Sequence, residues 1–194
     1  MKVFTDERLL WFINRGTGVV LLVLMTLALV LGVAATVRTS SSRWPRFVTQ
    51  ALHRNLALLS LALLAAHVGA AVIDGYVNIQ VIDAVLPFGS GYRPFWVALG
   101  TIALDLMVVA TLTSLARHRF RLRSWRIVHL TTYLAWPLAL AHALGIGSDR
   151  STAWSMLLTA ICAGLVAGAI AVRLSALAHE RRLRAGLLES VPAG

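Results

Sequence analysis

Five apolar stretches, each long enough to cross a lipid bilayer, constrain this chain more than any other feature. They run over about residues 12–36, 51–73, 94–116, 125–146 and 153–175. A hydrocarbon core of about 30 Å takes roughly 20 helical residues, and lipid offers no hydrogen-bond partner to an open strand, so each stretch is predicted to be a helix. Composition agrees, with 58% of the 194 residues hydrophobic and 13% charged, against about 45–50% and about 25% in soluble domains. The expected fold class is all-α, an integral membrane bundle of five transmembrane helices. Residues 1–194 are read as a single domain with a core over 12–146, a fifth helix over 153–175 and a basic tail over 176–194.

The first apolar run, "VVLLVLMTLALVLGVAA", exceeds the h-region of a signal peptide, about 7–15 residues. It is read as a retained helix, with cleavage after "GVAA" as the alternative. The net charge of +10 does not mark a nucleic-acid surface, because the basic residues are spread among short loops. When alternate loops are assigned to one side, thirteen of the eighteen gather there: Arg38, Arg43, Arg46 and Arg54, then Arg117, Arg119, Arg121, Arg123 and Arg126, then Arg173, Arg181, Arg182 and Arg184. Lys2, Arg8, Arg15, Arg93 and Arg150 fall on the other side with Asp6, Glu7, Asp74, Asp83 and Asp149. The positive-inside rule then places the N-terminus outside a plasma membrane and the C-terminus in the cytoplasm.

One cysteine, Cys162, excludes a disulfide, a CxxC redox pair and covalent CxxCH haem attachment within this chain, and it reads as a packing residue. No GxGxxG or Walker pattern is present, so no flavin, nicotinamide or nucleotide domain is expected. The loop over 74–93 is expected to lie in the outer interface, where Tyr76, Tyr92 and Trp96 suit an aromatic belt; a lid over an outer site is the alternative. The tail "LAHERRLRAGLLES" is expected to extend the fifth helix along lipid headgroups.

Four histidines stand out inside the apolar segments. "HRNLALLSLALLAAH" runs from His53 to His67 on the second segment, and "HLTTYLAWPLALAH" from His129 to His142 on the fourth. The second and fourth helices run in the same direction across the membrane. At 1.5 Å per residue, His53 and His67 lie about 21 Å apart and His129 and His142 about 20 Å apart. His53 therefore matches His129 in depth near the cytoplasmic surface, and His67 matches His142 near the outer one. Polar groups inside spans are costly and face partners within a bundle, and a neutral imidazole is an axial ligand for haem iron. Two facing imidazoles at each of two depths are expected to hold two b-type haems. Helical phase fits only one helix. Fourteen residues at about 100° each fall about 40° short of whole turns, so His53 and His67 share a face, whereas thirteen leave His142 about 140° from His129; Pro137 lies between them as the expected distortion. His118 and His179, set among arginines, are expected to be solvated.

The H-x13-H and H-x12-H patterns on alternate helices resemble the ferric reductase-like transmembrane domain shared by ferric reductases and NADPH oxidases. The resemblance covers roughly residues 12–146, and "LWFINRGTGVVLLVL" and "VLPFGSGYRPFWVALGTIALDLMVVATLTSLARHRFRLRSWRIVHLTTYLAWPLALAHALGIGSD" look especially like stand-alone actinobacterial members. It implies bis-histidine b haems, pairing His53 with His129 and His67 with His142. Full-length oxidoreductases of that family carry FAD and NAD(P)H domains after the last helix. This sequence shows none, so a separate flavin or iron–sulfur protein, or a quinol, is the expected electron donor, and ferric iron, an extracytoplasmic flavoprotein or oxygen the expected acceptor. The Trp125, His129, His142 segment is also similar to the membrane subunit of the periplasmic methionine sulfoxide reductase system. That subunit type lacks an equivalent of His53, so four histidines favour the two-haem class.

Haem propionates need cationic partners, and Arg54 and Arg126 beside the inner ligands and Arg15 at the outer face are the candidates. Asp105 is the one acid within a span; it has to be paired or carry its proton, with a proton relay, a quinone contact or a structural hydrogen bond as its possible roles. Thr111, Thr113 and Ser114 are expected to satisfy backbone or bundle contacts. The leading reading is a transmembrane dihaem b-type cytochrome, an electron-transfer oxidoreductase component. The alternatives are a single-haem subunit of a periplasmic oxidoreductase, a non-haem proton or metal transporter built on the histidines and Asp105, and a cofactor-free anchor for a soluble oxidoreductase.

Overall fold

The computed structural model describes residues 7–37, 45–74 and 77–189. They form six α-helices: α1 (Glu7–Thr36), α2 (Arg46–Ile73), α3 (Pro94–Leu115), α4 (Leu122–Leu130), α5 (Thr132–Ile146) and α6 (Ala153–Glu189), with single 3-10 turns at Val81–Ala84 and Arg117–Arg119. No strand occurs among the described residues. Five spans are long and apolar enough to cross a membrane: Leu9–Thr36, Arg46–Ile73, Pro94–Leu115, Leu122–Ile146 and Ala153–Ala185. The protein is a multi-pass membrane protein. The expected Tyr76 anchor and the basic residues Lys2, Arg38 and Arg43 lie outside the described residues.

The fourth span is interrupted, and the interruption falls at Thr131 rather than at Pro137, which sits inside α5. Around Thr131 the hydrogen bonds close over three residues. Thr131 N donates to Val128 O at 3.1 Å and Leu134 N to Thr131 O at 2.9 Å, while the Thr131 and Thr132 hydroxyls donate to Val128 O and His129 O, each at 2.7 Å. A 3-10 turn advances more than 100° per residue. The overwinding therefore has the sign needed to bring His142 round towards the face of His129, which a uniform helix does not do.

α1 is the central element, packed along α2 and touching α5 and α6, while α3 packs along α5. The tightly buried cluster is small: Leu22 on α1, Trp136 on α5, and Cys162 and Val166 on α6. Trp136 carries an N–H into this cluster and donates it to Thr26 Oγ1 at 2.9 Å, and Thr26 in turn donates to Leu22 O at 2.7 Å. The cluster leaves no unpaired indole donor, and Cys162 packs there as a free, buried thiol. Many leucines and valines point outward. In water they would be a liability, but lipid is their solvent here.

At the end of the bundle opposite the arginine-rich loops, α3 and α5 are clamped together. Arg93, with φ of 40°, caps α3 and sends its Nη1 to Gly145 O at 2.6 Å. The Trp96 ring lies over Gly145 so closely that a Cβ there would overlap it. The loop before α3 is tied down by Thr101 Oγ1 donating to Asp83 O at 2.7 Å, and Asp83 closes a capping box with Gln80. Gly145→Ala is expected to push Trp96 off its seat, at about 1–3 kcal/mol for overpacking, and to lower the thermal unfolding midpoint in detergent.

Candidate functional site

The four histidines come together as the two depth-matched pairs. The rings of His53 and His129 lie 5.9 Å apart, centroid to centroid, with planes at 73°; those of His67 and His142 lie 6.5 Å apart at 82°. His53 and His67 project from α2, His129 from α4 and His142 from α5. Between α2 and the α4–α5 span there is little close backbone contact, so the imidazoles reach across a gap between helices.

Every one of the four rings is anchored through Nδ1. His67 Nδ1 bonds Asn14 O at 3.0 Å, His53 Nδ1 bonds Ala28 O at 2.8 Å and His142 Nδ1 bonds Trp96 O at 2.8 Å. A carbonyl can only accept, so Nδ1 carries the hydrogen in these three rings and Nε2 keeps its lone pair. His67 has a second acceptor in Thr17 Oγ1 at 3.2 Å, whose hydroxyl proton goes to Ile13 O. The exception is His129, whose Nδ1 meets a side-chain oxygen, Ser114 Oγ, at 3.3 Å. The Ser114 proton goes to Ala110 O at 2.7 Å, so here too the ring nitrogen is the donor.

These anchors repeat with a period the sequence contains but residue-type reasoning missed. Asn14 faces His67 and Ala28 faces His53, so the same antiparallel α1–α2 register recurs after fourteen residues on each helix. One helical turn beyond each of the three accepting carbonyls stands a glycine. Gly18 follows Asn14, Gly32 follows Ala28 and Gly100 follows Trp96. A Cβ on Gly18 would come within 3.2 Å of His67 Cε1 and one on Gly32 within 3.2 Å of His53 Cε1, while on Gly100 it would come within 2.5 Å of His142 Nδ1. The bare backbone lets each imidazole settle against a helix and share a carbonyl that already accepts an intrahelical bond. The signal was the fourteen-residue spacing of Gly18 and Gly32, which mirrors that of His53 and His67.

Arg54 and Arg126 are exposed at the arginine-rich end, and neither forms an ion pair among the described residues. Arg15 is held by an ion pair with Asp149, and its guanidinium lies 4.7 Å from the Trp11 ring centroid and 5.8 Å from that of Trp154. Asp105 is partly exposed on α3. His118 and His179 are exposed. Thr113 donates to Val109 O at 2.7 Å. Among the described residues no three of His, Cys, Asp or Glu gather into a cluster suited to a metal ion, so the histidines form pairs and not a tetrahedral ligand set.

Residues 17–140 match the model of the ferric reductase like transmembrane component. The chain belongs to this ferric reductase-like transmembrane family. The matched region covers more than half of the chain and contains His53, His67 and His129; His142 lies two residues past its end. No curated protein and no solved structure matches the chain. Membership gives the protein a membrane electron-transfer setting.

The glycine contacts separate three substitutions by sign. Replacing a helical glycine with alanine gains about 0.5–1 kcal/mol of backbone propensity. For Gly18→Ala and Gly32→Ala, where the histidine edge yields a few tenths of an ångström, the expected change in unfolding midpoint is small. Gly100→Ala drives a methyl into the His142 ring, and a loss of about 1–3 kcal/mol is expected. Thermal melts of the three variants in one detergent check the order.

Proposed function

We propose that this protein is a transmembrane dihaem b-type cytochrome that passes single electrons across the plasma membrane. The observation that carries this reading is the pair of opposed imidazoles at each of two depths, with all four Nδ1 atoms engaged by protein oxygens. A metal–imidazole bond is about 2 Å, so two rings sharing one iron place their centroids about 6 Å apart. The separations of 5.9 and 6.5 Å fit that requirement. The donor chemistry fits as well, since neutral imidazoles with a free Nε2 lone pair would serve as ligands to haem iron.

In this reading His53 and His129 hold the inner haem and His67 and His142 the outer one. Bound haem would supply reversible one-electron chemistry there. The residues of the chain bind and orient. The Asn14, Ala28 and Trp96 carbonyls fix ring tautomer and rotation, as outer-shell acceptors do for metal-bound histidine. The bilayer and the apolar helix faces keep water from the gap. Arg54 and Arg126 at the inner level remain the candidates for propionate charge, while Arg15 at the outer level serves the Asp149 pair first.

The arginine distribution supports an N-terminus outside and a C-terminus in the cytoplasm. Electrons would enter from a cytoplasmic flavin or iron–sulfur protein or from quinol, and leave to ferric iron or an extracytoplasmic flavoprotein. His67→Ala or His142→Ala is expected to remove the outer haem and keep the inner one, and His53→Ala or His129→Ala the reverse. Haem per chain by pyridine haemochrome, with the reduced-minus-oxidised spectrum, reads the result. Equal loss of both haems from all four variants would contradict separate sites.

A further inference from the structure

Three of the four histidines are anchored on helical carbonyls beside a glycine, and the fourth is not. Ser114 stands on α3 fourteen residues after Gly100, where the repeat would put another glycine. Its hydroxyl occupies Ala110 O at 2.7 Å, the carbonyl that corresponds to Trp96 O. The Ser114 oxygen then receives two N–H donors, Trp125 Nε1 at 3.2 Å and His129 Nδ1 at 3.3 Å. The Trp125 ring is also stacked on the His129 ring, with centroids 5.0 Å apart and planes at 20°, and the Arg117 guanidinium lies 4.6 Å from the Trp125 ring centroid.

A shared hydroxyl at 3.3 Å is a poorer acceptor than carbonyls at 2.8–3.0 Å, because N–H···O bonds weaken beyond about 3.2 Å. The bond made by Nδ1–H sets how much electron density the imidazole offers through Nε2. A strong acceptor makes the ligand more basic and favours ferric iron. A weak one does the opposite.

We propose that Ser114 is a positioning residue that raises the reduction potential of the inner haem, by giving His129 a weak, shared acceptor where the other three ligands have a carbonyl. The proposal rests on the bis-histidine reading above. Ser114→Gly restores the repeat: with no Cβ or hydroxyl in the way, His129 Nδ1 gains access to Ala110 O. Trp125→Phe removes the competing donor and leaves the hydroxyl to His129 alone.

The test is a redox titration of the purified full-length protein, monitored in the haem absorbance bands, after haem has been counted in each variant. The inner potential is assigned in a His67→Ala background, which keeps only that site. Ser114→Gly is expected to shift the inner potential downward and leave the outer one in place. Trp125→Phe is expected to shift it in the same direction by less, and Ser114→Thr, which keeps the hydroxyl, to hold the wild-type value. An unchanged inner potential in Ser114→Gly with both haems bound would overturn the proposal, as would an equal shift of both potentials. Loss of the inner haem from Ser114→Gly alone would also overturn it, by making the hydroxyl an anchor. A wild-type protein without an inner haem would instead remove the reading underneath, and the haem count shows this before any titration.

Discussion

The hydrogen bond from each histidine Nδ1 to an oxygen on a neighbouring helix is the constraint on which the arrangement depends. An imidazole inside a membrane needs a partner for its N–H, because lipid supplies none. By finding that partner on α1 for His53 and His67, and on α3 for His129 and His142, the chain does two things with one bond. It satisfies a polar group where water is absent, and it leaves the other ring nitrogen as a lone-pair acceptor. The packing follows from this. α1 lies along α2 and backs His53 and His67, α3 lies along α5 and α4 and backs His142 and His129, and glycines stand at three of the four crossings.

Much of the fold was legible in the sequence because the bilayer makes length and apolarity decisive. The start of α3 at Pro94 and of α6 at Ala153 fall where the apolar runs begin, and the depth pairing of the histidines needed only the rise of a helix. What could not be read was local. The phase mismatch of His129 and His142 depends on where the fourth span overwinds. Pro137 is the conspicuous helix breaker, yet the interruption comes at Thr131, where two adjacent threonine hydroxyls bond carbonyls three residues back. Threonine rarely announces such a role, since the same bond often forms in an unbroken helix.

The site itself was half legible. The histidines announced themselves by residue type and spacing, but three of their four acceptors are backbone carbonyls, which carry no residue signature. Only the glycines betray them, and glycine in an apolar helix has many other uses. Arg15 shows the opposite problem. Its charge and position suggested an anionic ligand, while the fold gives it Asp149 from the α5–α6 loop and two tryptophan faces. Such a partner, more than a hundred residues away, is set by the tertiary fold and not by local pattern. Ser114 reads in the sequence as a hydroxyl able to satisfy the backbone, and it does so; its second duty to His129 and Trp125 emerges only when α3 and α4 are placed side by side.

The haem content of the wild-type protein, purified in detergent after expression with adequate haem supply, decides whether the two histidine pairs are cofactor sites. Pyridine haemochrome analysis against protein concentration, with a reduced-minus-oxidised spectrum, counts the sites. Two b-type haems per chain, both low-spin, are the expected result. One haem per chain would contradict the pairing at one of the two depths, and none would return His53, His67, His129 and His142 to a role without haem.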